Sequence, residues 1–156
     1  MLKTKHLFVS AIVFGLISGA ALAQSKDPLV GTWKLNAAKS TGLQYKSGTS
    51  KIEPAGAGVK FTVDLAGADG KVNKWAFTAN YDGKDNPVTG SSPYGDAVAL
   101  ERVDANTTRI ISKLAGKVMT TQTIVVSADG KTRTTTTKGM DAKGQKVDTV
   151  SFYEKQ

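Results

Sequence analysis

Beyond residue 23, hydrophobic positions recur at every second residue in several stretches. Val59, Phe61, Val63 and Leu65 oppose Lys60, Thr62 and Asp64, and Trp75, Phe77, Ala79 and Tyr81 oppose Lys74, Thr78 and Asn80. A period of two places the two sets on opposite faces of a strand. No run of ten or more residues shows convincing helical periodicity. The pattern predicts strands over Leu29–Asn36, Thr49–Glu53, Val59–Ala66, Lys71–Tyr81, Asn86–Thr89, Ala97–Asp104, Thr107–Ala115, Lys117–Ser127, Lys131–Gly139 and Gln145–Lys155. Between them lie turn residues, including Asp-Gly pairs at 69–70, 82–83 and 129–130. These supply the positive φ angles that tight hairpins require. One helical turn is expected around Ala37–Ser40.

Consecutive strands joined by short turns form an up-and-down meander. An open sheet of that size curls, and closure removes its edges. The expected fold is therefore all-β: a single antiparallel barrel of 8–10 strands, with Leu29–Asn36 paired to Gln145–Lys155. Trp33 should be buried near one end with Leu29 and Leu35, and Gly31 should sit at a bend. Two strands leave their facing open. The last has apolar residues on both parities, and on Lys131–Lys138 the residues Arg133, Thr135 and Thr137 oppose Thr132, Thr134 and Thr136, so neither face is apolar. Such a strand suits either the wall of a water-containing cavity or an edge solvated on both sides.

The first 23 residues follow another rule. Lys3 and Lys5 precede an apolar run from Leu7 to Ile17, and Ala21-Leu22-Ala23 offers small residues before Gln24. This is the pattern of a secretory signal peptide cut after Ala23, and the run is short for a bilayer span of about 20 apolar residues. Residues 24–156 are then one exported domain, periplasmic or secreted, with no transmembrane segment. The 21 Lys and Arg against 13 acids give +8, falling to +6 without the leader's two lysines. The lysines are scattered rather than clustered, which argues for a solvated basic surface and against a nucleic-acid partner. Cysteine is absent, so packing and sheet closure must hold the fold. The only histidine, His6, lies in the leader. Triads that need His or Cys, and histidine zinc sites, are thereby excluded from the domain.

"GTWKL" at Gly31–Leu35 resembles the opening strand of the fatty-acid-binding proteins, and its Gly-x-Trp core resembles that of the calycin superfamily. "VSFYEK" at Val150–Lys155 resembles the closing strand of the same proteins. "GTWKLNAAKS", "TANYDGKDNPVTG", "VDANTT" and "YEKQ" resemble phrases of small exported bacterial lipocalin-like proteins, over nearly the whole domain. The resemblance implies a barrel in which Trp33 plugs the closed end and Gly31 lets the strand bend. It also implies an interior for small hydrophobic or amphipathic ligands. The likeness breaks at the fatty-acid anchor. Tyr153 matches the tyrosine of the Arg-x-Tyr pair, but Ser151 stands at its arginine, and Ala37–Gly48 is too short for a two-helix lid.

No catalytic constellation emerges. Asp64 and Glu101 fall on the solvent parity, and Asp148 and Glu154 are ambiguous. "YDGKDNP" lacks the spacing of a calcium loop, and "GSSPYG" matches neither a phosphate loop nor a nucleophile elbow. We therefore expect no enzyme, no metal and no cofactor. Arg102 and Arg109 lie on neighbouring strands, and an arginine in an apolar row needs an anion. The candidate ligand site takes Arg102 or Arg109 with Tyr153 as its anchor and Phe61, Trp75, Phe77, Tyr81, Leu100 and Ile111 as its walls. An anionic, lipid-like amphiphile fits such a set. The other reading is a closed barrel without cavity ligand, an envelope interaction or stress protein. A monomer is expected in both.

Overall fold

The structure is a computed structural model that describes residues 26–156, so the leader expected over residues 1–23 lies outside the described residues. Its elements are β1 (Gly31–Thr41), β2 (Tyr45–Ala55), β3 (Gly58–Gly67), β4 (Val72–Asn80), β5 (Asp82–Pro87), β6 (Thr89–Gly90), β7 (Ala97–Arg102), β8 (Thr107–Leu114), β9 (Lys117–Val126), β10 (Thr132–Met140) and β11 (Lys146–Lys155). All pairings are antiparallel, in the order β5-β7-β8-β9-β10-β11-β1-β2-β3-β4-β6, and no helix occurs among the described residues. The fold is an all-β, nearly closed up-and-down barrel, compatible with a calycin-like fold.

Two seams close it. β1 pairs with β11, with Trp33 opposite Lys155 and Leu35 opposite Tyr153. At the second seam, Asp82–Gly90 divides its hydrogen bonds. β5 pairs with β7, from Asp82 opposite Glu101 to Pro87 opposite Ala97, whereas β6 pairs with β4 through Gly90 and Trp75. The stretch expected as one strand near Asn86–Thr89 is thus two short ones that lean on different neighbours.

Two of the three Asp-Gly pairs form the expected hairpin turns, whereas Asp82-Gly83 lies inside β5, where the pairing with β7 shifts register. Gly70 and Gly130 adopt φ of 79° and 70°. The preceding Asp69 and Asp129 accept hydrogen bonds from the backbone N–H of Lys71 and Lys131. Gly31, two residues before Trp33, has φ of 147°, a backbone state that side chains disfavour.

The helical turn expected at Ala37–Ser40 does not form, because β1 runs on to Thr41. The pairing with β11 shifts between Asn36 and Thr41. Ser40 Oγ donates to Asn36 O (2.7 Å) and accepts from Phe152 N–H (2.8 Å). A side-chain hydroxyl thus stands in for the ladder bond that the irregularity interrupts, and the strand survives a stretch whose composition suits a helix.

One end of the barrel is packed with apolar side chains. Trp33 is fully buried beside Leu29 (1% exposed), and its indole N–H donates to Leu29 O (2.9 Å). Phe61 and Phe77, direct cross-strand partners, stack with centroids 4.7 Å apart. Ile52, Leu100, Ile110, Ile124 and Val126 complete this core.

Candidate functional site

β10 decides what the interior can do. Arg133, Thr135 and Thr137 are buried, while Thr132, Thr134 and Thr136 are half-exposed on the outer face. Registers carry the inward row across the barrel: Arg133 lies opposite Tyr153 on β11 and Val126 on β9, and Thr135 opposite Ser151. The last strand therefore turns Ser151 and Tyr153 inward and leaves Phe152 partly exposed, under the ammonium of Lys39 (5.0 Å).

Arg133 is 4% exposed, and its guanidinium carbon lies 4.2 Å from the Tyr153 ring centroid and 5.3 Å from that of Trp33. Two aromatic faces attract a cation but do not neutralise it. No carboxylate of the described residues forms an ion pair with this guanidinium, and its Nε and Nη1 have no hydrogen-bond partner. Burial pulls its pKa down to about 10, with the Tyr153 phenol opposing the shift. The group therefore stays charged at neutral pH. Ser50, Thr120 and Thr135 add three more buried hydroxyls without partners. Buried polar atoms are normally satisfied, and of these three hydroxyls Ser50 and Thr135 line the same cavity as Arg133.

The space before Arg133 is a cavity of about 70 Å³, lined among others by Ser50, Phe61, Phe77, Thr135, Ser151 and Tyr153. It has room for a few waters or a small polar head group and is well short of the roughly 300 Å³ at which drug-sized pockets begin. Leu43, Tyr45 and Tyr94 border both this cavity and a cleft of about 240 Å³ that reaches Asp141 and Lys146. Trp75, half-buried, packs edge-on against Tyr94 (6.5 Å). Across this end of the barrel, Ala142 N–H donates to Pro93 O (2.8 Å) and ties the β10–β11 turn to the loop after β6. The interior is thus plugged by aromatic side chains at one end and by Trp33 at the other.

Of the expected site residues, Phe61, Trp75, Phe77 and Tyr153 line the cavity. Leu100 is fully buried in the core, outside the cavity lining. Ile111 does not face the interior: its neighbour Ile110 is the buried one (3% exposed), because the parity of β8 puts Thr108, Ile110 and Ser112 inside. Arg109 is exposed and pairs with Glu101 (3.3 Å) on the outer wall.

Arg102 and Tyr81 come together, but away from the cavity. Both hold Asp27 on the segment before β1. Its Oδ2 accepts from Tyr81 Oη and from Arg102 Nη2, each at 2.5 Å, and the guanidinium lies 3.9 Å from the Tyr81 ring centroid. This clamp fixes the stretch that buries Leu29. The anion that Arg102 demands is a carboxylate of its own chain. The arginine in the cavity is Arg133, on the strand whose two polar faces had left its orientation open; the pairing of β10 with β9 and β11 assigns it.

Among the described residues, no three His, Cys, Asp or Glu side chains converge as a metal site would require. No family model matches the chain, and no curated protein does.

Proposed function

We propose that the protein is an exported lipocalin-like barrel that holds the acidic head of a small amphipathic ligand on Arg133. One observation carries this reading: a buried guanidinium with unpartnered Nε and Nη1 lines a cavity and forms no ion pair with a described residue. Removing a charge from water costs several kcal/mol unless it is paired and hydrogen-bonded. A carboxylate or comparable anion would neutralise the guanidinium and accept charge-assisted hydrogen bonds from it. Ser50 and Thr135 would supply further hydrogen bonds, and Phe61, Phe77 and Trp75 the apolar contact. The anchor is thus Arg133 with Tyr153, in place of Arg102 or Arg109. The ligand's tail must displace Leu43, Tyr45 or Tyr94 to pass from the cleft to the interior.

A displacement titration with a fluorescent fatty acid tests this on the parent, Arg133→Met and Tyr153→Phe. The expected result is saturable binding by the parent that weakens at least about tenfold, or 1.4 kcal/mol, in Arg133→Met, with a smaller loss in Tyr153→Phe. A parent that binds nothing, or an Arg133→Met variant that binds as the parent does, overturns the reading. The small cavity, about 70 Å³, favours one alternative in that event: a packed barrel that acts in the envelope through its outer surface.

A further inference from the structure

The barrel carries a second feature that its interior does not explain. At the end where β9 begins and β10 finishes, an open groove of about 500 Å³ runs between Lys117, Val118, Lys138, Met140, Lys146 and Asp148. Val118 and Met140 are 54% and 53% exposed, the two most exposed large apolar side chains among the described residues. Three lysines line the groove, and Lys143 stands on the adjoining turn. None of the four forms an ion pair with a described residue. Against them stand two acids. Asp148 lines the groove, and Asp141 spends its Oδ1 on the backbone N–H groups of Lys143 and Gln145.

We infer that this rim docks the barrel on an anionic lipid surface, with Met140 and Val118 entering the interface and Lys117, Lys138, Lys143 and Lys146 meeting the head groups. Apolar side chains ringed by lysines are the arrangement that binds at such an interface. The cations are attracted to acidic head groups while their aliphatic stems lie along the apolar boundary. Strand parity sustains it: Lys138 and Met140 share the outer face of β10, opposite buried Thr137. A single-stranded nucleic acid would demand an aromatic platform for its bases, and no aromatic side chain lines the groove. The groove is also placed for exchange with a membrane. It shares Lys146, Val147 and Asp148 with the cleft at the barrel's end, and that cleft shares Leu43, Tyr45 and Tyr94 with the cavity. The inference stands whether or not the cavity holds a ligand.

Vesicle co-sedimentation tests it, with phosphatidylcholine alone and with phosphatidylcholine mixed with phosphatidylglycerol. Four proteins are compared: the parent, Lys138→Glu/Lys146→Glu, Met140→Ser, and Lys84→Glu/Lys131→Glu, the same charge change away from the groove. The parent is expected to bind the anionic vesicles and not the neutral ones. The groove's charge reversal should weaken binding at least about tenfold, and Met140→Ser should weaken it measurably at unchanged charge. The Lys84/Lys131 control should lose clearly less. Absence of parental binding, equal losses in the two charge-reversed pairs, or indifference to Met140→Ser overturns the inference.

Discussion

At Trp33 a single side chain joins the closure of the sheet to the packing of its base. It sits on the strand that pairs with β11, donates to Leu29 O, and lies near two cations, Arg133 and Lys155, at 5.3 and 4.9 Å. Trp33→Ala removes the largest fully buried side chain and is expected to cost about 3–5 kcal/mol of stability, read from chemical denaturation. A variant that unfolds at the parental midpoint contradicts that placement. Arg133 shows the opposite energetics, because the burial of a charge is unfavourable without a partner. Trp33 was legible in the sequence because Leu29, Trp33 and Leu35 share one parity beside a bend-prone glycine. Arg133 was only half legible, since its face could be assigned only once the pairing of β10 with its neighbours was known.

Among the elements, legibility followed the cleanness of the alternation. β3 and β4 pair residue for residue, with Phe61 opposite Phe77 and Val63 opposite Trp75, as two amphipathic strands should. The segment Asp82–Gly90 alternates poorly and is split between two neighbours, a division set by tertiary closure and not by local composition. Ala37–Ser40 reads as a turn of helix, yet the ladder to β11 and the Ser40 hydroxyl hold it extended. Tertiary pairing here overrides a weak local preference. On β8 the choice between Ile110 and Ile111 came down to a parity shift of one residue, the smallest change that moves a side chain to the other face. Tyr81 and Arg102 could not be assigned to the barrel's end from their own strands, because the partner that fixes them, Asp27, lies outside the alternating pattern.

Across the whole molecule, all four tyrosines, Tyr45, Tyr81, Tyr94 and Tyr153, have phenols whose pKa is raised, burial being the main cause in each. At Tyr81 the Asp27 carboxylate adds to it. A raised phenol favours the fold while it is neutral. Its stabilisation is complete below the ordinary phenol value of about 10 and is lost as pH climbs beyond it. Arg133 acts in the opposite sense, its burial cost easing only above about 10. An alkaline titration followed by tyrosinate absorbance and circular dichroism should show the phenols ionising late, together with loss of the barrel. Four phenols ionising near 10 in an intact barrel contradict it. The same whole-molecule view joins an uncompensated cation inside, an aromatic plug and a basic, apolar rim outside. The first of these carries the functional account. Native mass spectrometry of the parent and Arg133→Met, purified side by side from the cells that produce them, tests it most directly. The account predicts a stoichiometric acidic adduct on the parent and its loss from a folded Arg133→Met variant. A bare parent, or the same adduct on both proteins, contradicts it.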